Sequence, residues 1–129
     1  MMRAHRELGC GFLEKVYQEA LEREFTTEGI SFQREANLKF FYRGVPLQQE
    51  YVADFGCNGK ILVELKAISK ISNVEKAQVI NYLKATGYKL GILANFGETS
   101  LKTERFCNIN NNVQRSIRII RNNNDADAN

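Results

Sequence analysis

The sequence is poor in the residues that build several common kinds of functional site. It has one proline, no tryptophan, three cysteines and a single histidine, His5. The cysteines, Cys10, Cys57 and Cys107, lie far apart and form no C-x-x-C pair, so neither a disulfide framework nor a zinc site is predicted. One histidine near the amino terminus argues against histidine-based catalysis and against a histidine-rich metal site. Any metal would therefore be bound by oxygen atoms.

Long apolar runs are missing as well. No segment approaches the roughly 18 apolar residues that a membrane-spanning helix needs, and the first residues, MMRAHRELGCGF, lack the hydrophobic stretch of a secretory signal. We therefore expect a cytoplasmic protein that does not contact membranes. The 129 residues have the length of one domain, which we assign to residues 1–121. The polar end NNNDADAN, residues 122–129, is expected to be a disordered tail.

Charge of either sign is moderate. The formal net charge of +3 is a weak indication of a polyanionic partner. Near the carboxyl end, Arg115, Arg118 and Arg121 recur at every third position and could form the basic face of a final helix. An ordinary solvated helix face explains this pattern at least as well.

The spacing of apolar residues predicts a helix from Gly11 to about Glu28. On this helix Glu14 shares one side with Gly11 and Tyr17 and borders the buried stripe, which is an unusual position for a lone carboxylate. Strand-forming runs separated by turn signals follow over residues 30–68 and predict three or four antiparallel strands.

A second helix and two further strands complete the predicted order. The S-x-x-E pattern of a capping box precedes a helical segment over residues 74–86. Short apolar segments at 89–96 and 104–109 predict strands. A right-handed crossover between the strands at 61–68 and 89–96 would make them parallel. We therefore expect an α/β (mixed α+β) fold with a central mixed sheet flanked by helices.

Two charged residues interrupt the otherwise core-like segment ILVELKAI, residues 61–68. Because side chains alternate along a strand, Glu64 and Lys66 share one face, while Val63 and Leu65 lie on the other. Such a pair needs an explanation, either as an ion pair or as part of a site.

Asp54 lies ten residues before Glu64, across an Asn-Gly turn signal, in another strand with apolar neighbours. It shares a face with Glu64 only if the hairpin loop has an odd number of residues. A loop of residues 57–59 would pair Asp54 with Leu62 and set it diagonally beside Glu64. A two-residue loop would place the two carboxylates on opposite faces.

Converging carboxylates predict a site for a hard divalent cation, with Mg²⁺ as the natural candidate. Asp54, Glu64 and the backbone carbonyl of Leu65 would bind it, and Lys66 would orient a nucleophile or neutralise transition-state charge. Such a set suits phosphodiester hydrolysis. Spacing alone gives about equal weight to a structural interpretation, in which Glu64 and Lys66 form an ion pair and Asp54 is a surface charge.

Gln78 and Tyr82 lie four residues apart, on one side of the second helix. Their amide and hydroxyl groups can donate to the phosphate oxygens of a nucleic acid. Taken alone, the pair is explained better by a half-buried tyrosine and a solvated glutamine.

Five sequence blocks, in order, resemble the GxxExxY protein family: GFLEKVY, YVADF, VELKAI, AQVINYLKATG and GILANFG. The first block contains Gly11, Glu14 and Tyr17, and the resemblance extends from about His5 to Phe106. That family belongs to the PD-(D/E)XK nuclease superfamily. The pattern is similar to the branch that contains the nuclease domains of RecB and lambda exonuclease, in which a Q-x-x-x-Y helix follows the E-x-K strand. The chain departs from the superfamily pattern before Asp54, where alanine replaces the proline.

The resemblance implies a restriction-endonuclease-like core and a Mg²⁺- or Mn²⁺-dependent deoxyribonuclease. It implies that Asp54, Glu64 and Lys66 are catalytic and that Glu14 joins the metal ligands. Gln78 and Tyr82 would position the substrate.

DNA would be the substrate, and a homodimer or an unidentified partner protein would enlarge the recognition surface of so small a domain. An alternative is a catalytically inactive module on the same fold that binds nucleic acid or another protein. A third hypothesis is an enzyme that acts on another phosphodiester or nucleotide.

Overall fold

The computed structural model describes residues 1–108 and 117–120. Its helices are α1 (Met2–Leu8), α2 (Glu14–Glu28) and α3 (Asn73–Thr86). Its strands are β1 (Phe32–Tyr42), β2 (Val45–Cys57), β3 (Ile61–Lys66), β4 (Leu90–Asn95), β5 (Lys102–Asn108) and β6 (Ile117–Ile120). They form one six-stranded sheet in the order β1-β2-β3-β4-β5-β6. Across the described residues, no helix combines the length and the apolar composition needed to cross a membrane.

The sheet is mixed, as the sequence predicted. β3 and β4 are parallel, and every other neighbouring pair is antiparallel. Helix α3 connects the two parallel strands, because a parallel pair needs a long crossover. This α/β fold with helices on its sheet confirms the predicted fold class.

Two apolar layers hold the helices against the two faces of the sheet. On one face, the side chains of α2 pack against alternating residues of β2 and β3; this layer includes Tyr17, Leu21, Phe25, Phe55, Val63 and Leu65. On the other face, α3 covers a second layer, which includes Ala53, Leu62, Val79, Leu83, Leu93 and Phe106. Residues 62 and 63 of β3 therefore belong to different layers, as strand alternation requires.

Helix α2 begins three residues later than predicted. Gly11 precedes the helix and has a φ of +111°, a backbone conformation that favours glycine. The expectation that Gly11 shares a helical side with Glu14 is therefore wrong. Tyr17 explains the local structure, since its buried hydroxyl donates to the carbonyl of Gly9 at 2.5 Å and accepts from the amide of Phe12 at 3.2 Å. The tyrosine ties the preceding turn to the helix.

The capping box predicted for α3 is present. The Ser72 hydroxyl accepts from the amide of Val74 at 3.2 Å, and the Glu75 carboxylate accepts from the amide of Ser72 at 2.7 Å. These bonds satisfy donors that a helix leaves free at its start. Gly87, with a φ of +81°, ends the helix in the left-handed conformation.

The hairpin between β2 and β3 has an odd loop, but its register differs from the predicted one. Cys57 pairs with Ile61, so the loop consists of residues 58–60 instead of residues 57–59. Asn58 and Gly59 both have positive φ, and the amide of Lys60 donates to the carbonyl of Cys57 at 3.0 Å. Continuing this register places Asp54 opposite Glu64, and the predicted pairing with Leu62 is wrong. The shared face that the odd loop required is retained.

The last described segment is a strand and not the final helix that the arginine spacing suggested. Residues 117–120 form β6, which pairs with β5 in antiparallel register. The segment contains three isoleucines, and β-branched residues favour strands. Arg115, Arg121 and the predicted disordered tail at 122–129 lie outside the described residues.

Candidate functional site

Strand β2 changes the face that it presents at Asp54. Ala53 belongs to the layer under α3, whereas Phe55 belongs to the layer under α2. In a regular strand, residues two apart would share a face. The β1–β2 ladder is also interrupted opposite Asp54, at Glu35, which has a φ of +55°. A local twist of both strands therefore frees Asp54 from regular pairing.

Strands β2 and β3 separate at the same position. The described ladder between them reaches Phe55 and Val63 and does not continue. Beyond it, an Asp54 carboxylate oxygen accepts from the amide of Leu65 at 2.8 Å, and the amide of Asp54 lies 3.4 Å from Glu64 Oε2. Side-chain bonds thus replace the backbone ladder, and both carboxylates lie in one gap.

The backbone of Leu65 faces this gap as well. Its amide donates to Asp54, and the N–H and C=O groups of one strand residue point toward the same neighbour. The Leu65 carbonyl is therefore on the same side as the two carboxylates. The structure thus brings the Asp54 and Glu64 carboxylates to the Leu65 backbone.

The two carboxyl groups have raised pKa values. Burial raises the pKa of Glu64 to about 7, and the charge of nearby Asp54 adds to the rise. A hydrogen bond from Tyr51 and the positive charge of Lys66 act in the opposite direction. Burial also raises the pKa of Asp54, against the effect of the Leu65 amide. Because both carboxyls resist ionisation, a bound cation would relieve an unfavourable arrangement.

Lys66 lies on the Glu64 face and is close enough to lower the pKa of both carboxyls. Within residues 1–108, no ion pair joins Lys66 to either carboxylate at 4 Å or less. The ion pair with Glu64 that the spacing also allowed is therefore not formed. The ammonium group is left available for another partner.

The exit of β3 is fixed by the end of β4. The amide of Phe96 donates to the carbonyl of Lys66 at 2.7 Å. The buried Asn95 accepts from the amide of Ile68 at 3.0 Å and donates to the Ile68 carbonyl at 2.9 Å. Gly97 packs so closely that a Cβ atom would overlap the backbone of Ile68. These contacts set the direction in which the chain leaves Lys66.

Helix α2 reaches the site through Gln18. This buried glutamine donates to the backbone carbonyl of Asp54 at 3.3 Å. Glu14 is one turn earlier on the same side of the helix, and it is exposed. In the described part of the chain, no three acidic, histidine or cysteine side chains form a metal-binding group. The structure thus brings Asp54 and Glu64 together and leaves Glu14 at the edge of the site.

The two residues predicted to position the substrate lie at different depths. Gln78 is exposed on α3, whereas Tyr82 is half-buried. Burial and the charge of Glu64 raise the pKa of Tyr82, and the Gln78 side chain opposes this rise. Tyr82 is therefore close to Glu64, and the Gln78 side chain is close to Tyr82.

Tyr51 is one of three site residues that were not predicted from the sequence, with Gln18 and Asn95. Its hydroxyl donates to Glu64 Oε2, and its ring stacks on Tyr82 with centroids 3.7 Å apart. Burial and the negative charge of Glu64 raise the pKa of Tyr51, so the hydroxyl keeps its proton. The available signal was its position in YVADF, on the same face as Ala53 in the layer under α3. Gln18 and Asn95 were missed because their roles depend on contacts distant in sequence.

The donors in the gap fit a divalent cation. Mg²⁺ is commonly held by one or two carboxylates, with waters completing an octahedron. Asp54, Glu64 and the Leu65 carbonyl would offer only oxygen atoms, which suit Mg²⁺ or Mn²⁺ and not a soft metal.

The comparison with protein families agrees with this geometry. The family model of the PD-(D/E)XK nuclease superfamily matches residues 1–106, which include α1 to β4 and most of β5. No curated protein and no solved structure matches the chain. The matched region contains the twisted strand with Asp54, the E-x-K strand with Glu64 and Lys66, and the helix that covers them. The chain belongs to the PD-(D/E)XK nuclease superfamily.

Proposed function

We propose that this chain is a Mg²⁺- or Mn²⁺-dependent nuclease that hydrolyses phosphodiester bonds in DNA. The observation that carries the proposal is the gap between β2 and β3, where Asp54 and Glu64 meet at the Leu65 backbone. Lys66 lies on the same face of β3 as Glu64. Superfamily membership supports a nuclease, and the substrate and the metal are our inference.

Asp54, Glu64 and the Leu65 carbonyl would hold the metal. Glu14, exposed at the edge of the site, would be a further ligand on the ground of the family resemblance alone. When bound, the cation would acidify a water and reduce the negative charge on the phosphate. Lys66 would donate to the attacking water or to a phosphoryl oxygen as negative charge develops. Gln78 and Tyr82 would contact the DNA backbone and fix its position.

The proposal favours a working site over an inactive module. A half-buried carboxyl beside a second carboxyl costs stability when nothing binds them. Here Tyr51 holds Glu64, Gln18 holds the Asp54 backbone, and Asn95 fixes the exit of β3. Three separate contacts thus maintain an arrangement that a purely structural role would not require.

A cleavage assay tests the proposal. Linear, circular and single-stranded DNA, and RNA, are incubated with the protein and Mg²⁺, Mn²⁺ or EDTA. We expect metal-dependent cleavage of DNA that falls by about 10²-fold or more in Asp54→Ala and Lys66→Ala. Lys70→Ala is the matched control, because Lys70 is an exposed lysine just after β3.

The outcomes separate the hypotheses. No cleavage by the wild-type protein with either metal would contradict the proposal and favour an inactive binding module. Cleavage that survives both Asp54→Ala and Lys66→Ala would place the activity outside this site. Cleavage of RNA alone would keep the mechanism and change the substrate.

A further inference from the structure

The hairpin of β1 and β2 extends beyond the rest of the sheet. β3 pairs only with residues 55–57 of β2, whereas β1 and β2 pair as far as Tyr42 and Val45, with a shift of register between Lys39 and Phe41. Residues 39–50, here called the arm, therefore project with only two strands. Large apolar side chains are exposed on this arm, namely Phe41, Tyr42, Val45 and Leu47. Exposed apolar groups on an isolated two-stranded element are unusual unless they bind something.

A column of aromatic rings connects the carboxylates to the arm. Tyr51 bonds to Glu64 and stacks on Tyr82 with centroids 3.7 Å apart. Phe40, in the arm, stacks near both tyrosines, with centroids 6.1 Å from Tyr51 and 6.2 Å from Tyr82. The candidate active site is thus continuous with the arm through stacked rings.

Tyr42 is the next residue on the face that carries this column. Buried and half-buried positions of β1 alternate through Ala36, Leu38 and Phe40. The β1–β2 register shifts between Lys39 and Phe41, where residues 47–49 of β2 lie opposite Phe40 alone. The extra residues belong to β2, so β1 keeps its own alternation, which places Tyr42 on the same face as Phe40. Its side chain is 61% exposed, so its ring is open to solvent. Phe41 points to the opposite face and is 50% exposed.

The tip of the arm also carries a positive charge. The Arg43 guanidinium lies 5.4 Å from the centroid of the Tyr42 ring. Lys39 is neutralised by Glu50 at 3.1 Å, whereas no carboxylate of the described residues lies within 4 Å of Arg43. An exposed ring next to a free cation is the combination that binds single-stranded nucleic acids, by stacking on bases and by contact with phosphates.

From this continuity we propose that the arm binds unpaired nucleotides of a DNA strand and leads that strand to Asp54 and Glu64. Tyr42 stacks on a base, Arg43 contacts a phosphate, and Phe40 continues the stacking surface toward Tyr51. A duplex fits less well, because its bases hide their faces and its affinity depends on many phosphate contacts, whereas the arm offers one free cation. The inference rests on the proposed function in taking DNA as the substrate.

A binding assay without catalysis tests the arm directly. Fluorescence anisotropy in EDTA compares a labelled oligothymidine of about 16 nucleotides with a blunt duplex of the same length. We expect the protein to bind the single strand more tightly than the duplex, and Tyr42→Ala to lower the affinity for the single strand by about fivefold or more. Phe41→Ala is the matched control on the opposite face, and it should stay within about twofold. Circular dichroism checks that both variants fold.

Salt dependence gives a second readout, specific to Arg43. One lost phosphate contact to a single strand lowers the slope of log K against log salt by about 0.7, and we expect this change in Arg43→Gln. Lys39→Gln should change the slope less, because Glu50 already neutralises Lys39. An unchanged slope in Arg43→Gln would remove the phosphate contact from the proposal.

The outcomes distinguish this inference from the proposed function. If single-strand binding depends on Tyr42 but the protein cleaves no nucleic acid, the inferred role of the arm is supported and the proposed nuclease function is contradicted. If the wild-type protein cleaves DNA but Tyr42→Ala binds the single strand as tightly as the wild type, the inferred role of the arm is wrong and the proposed nuclease function stands. Equal losses in Tyr42→Ala and Phe41→Ala would overturn the assigned face. A change of molecular mass without a change in binding would show a protein interface and overturn the inference.

Discussion

At the scale of single residues, the candidate site depends on the protonation of Glu64. Burial raises the pKa of this carboxyl to about 7, so at neutral pH it is partly protonated. A metal ligand must be deprotonated, and protons therefore compete with the cation. The burial that keeps this carboxyl protonated therefore makes the metal affinity of the site depend on pH.

We predict that the affinity for Mg²⁺ or Mn²⁺ increases as the pH rises through about 7. On the acidic side, the loss of one proton per bound metal gives up to about tenfold in affinity for each pH unit. Isothermal titration calorimetry at several pH values measures the slope. An affinity that does not change between mildly acidic and mildly alkaline pH would show that Glu64 is not a ligand.

The same group affects the stability of the metal-free protein. The folded-state pKa of Glu64 is about 7, above its ordinary value of 4.5, so the folded state holds the proton more tightly than the unfolded chain. This stabilisation is complete below about pH 4.5 and is lost as the pH rises through about 7. In EDTA, thermal denaturation should show a smaller decline over this range in Glu64→Gln than in the wild type.

Asp54 also has a raised pKa and contributes a decline of the same sign, so the slope in Glu64→Gln is reduced and not abolished. Glu50→Gln is the control, because Glu50 pairs with Lys39 on the arm. A decline as steep in Glu64→Gln as in the wild type would mean that other groups carry the effect.

Tyr51 affects the protonation of Glu64. Its hydroxyl donates to Glu64 and lowers the pKa of that carboxyl. Tyr51→Phe should therefore raise the pKa of Glu64 and weaken metal binding at neutral pH by about tenfold, since hydrogen bonds to charged groups contribute about 1.5–3 kcal/mol. Calorimetry should show this difference becoming smaller at alkaline pH.

Tyr88→Phe is the matched control, because the half-buried Tyr88 packs in the layer under α3. If both substitutions weaken metal binding equally, the effect of Tyr51 is a general loss of packing.

At the scale of secondary-structure elements, the site is formed by irregularities of regular strands. β2 changes its face at Asp54, and β3 leaves β2 just beyond Val63. Paired strands satisfy their backbone groups with each other. Where the strands separate, the Leu65 amide needs another acceptor, and the Asp54 carboxylate provides it. Breaking the ladder thus both positions Asp54 and opens a gap in which oxygen atoms can meet a cation.

The contact between the end of β4 and the exit of β3 gives a prediction about Gly97. Gly97→Ala places a Cβ atom 2.5 Å from the Ile68 nitrogen and closer still to its carbonyl oxygen. Backbone atoms cannot move away cheaply, so we expect a loss of about 1–3 kcal/mol in the free energy of unfolding. Cleavage should fall as well, because the shift displaces the end of the strand that carries Lys66.

Chemical denaturation and the cleavage assay measure the two effects of Gly97→Ala. Gly56→Ala is the milder control, because its added Cβ would lie 3.3 Å from a side-chain atom of Ala36. A Gly97→Ala protein as stable and as active as the wild type would show that this exit tolerates movement.

At the scale of the whole molecule, a metal should stabilise the folded chain. Asp54 and Glu64 come from different strands, so the unfolded chain has no equivalent site. A ligand that binds only the folded state, at about 100 times its dissociation constant, stabilises it by about 2.7 kcal/mol. Thermal denaturation with and without Mg²⁺ or Mn²⁺ should show this gain.

We expect Asp54→Ala to lose the metal-dependent gain in stability. Lys66→Met should keep the gain while losing cleavage, because Lys66 has no role as a ligand. Stabilisation by metal that persists in Asp54→Ala would indicate a different binding site.

Much of the architecture follows from local sequence. The helix predicted over residues 11–28, the capping box at Ser72 and the apolar strand predicted over residues 61–68 were correct in type, because each depends on neighbours within a few positions. The start of α2 was misplaced, since Tyr17 bonds to the turn before it. The strand at 117–120 was mistaken for a helix, since its partner is β5 and local spacing does not show a free sheet edge.

The candidate site was predictable only in part, for the same reason. Strand alternation places Glu64 and Lys66 on one face of β3 whatever surrounds them, so the sequence was sufficient for that pair. Asp54 lies beside Glu64 only because the hairpin loop has three residues instead of two and because the strands twist opposite Glu35. Local patterns specify neither feature. The roles of Tyr51, Gln18 and Asn95 arise from contacts 13 or more residues apart in sequence. Such contacts exist only when the sheet and both helical layers are assembled, because burial and pairing are properties of the packed chain.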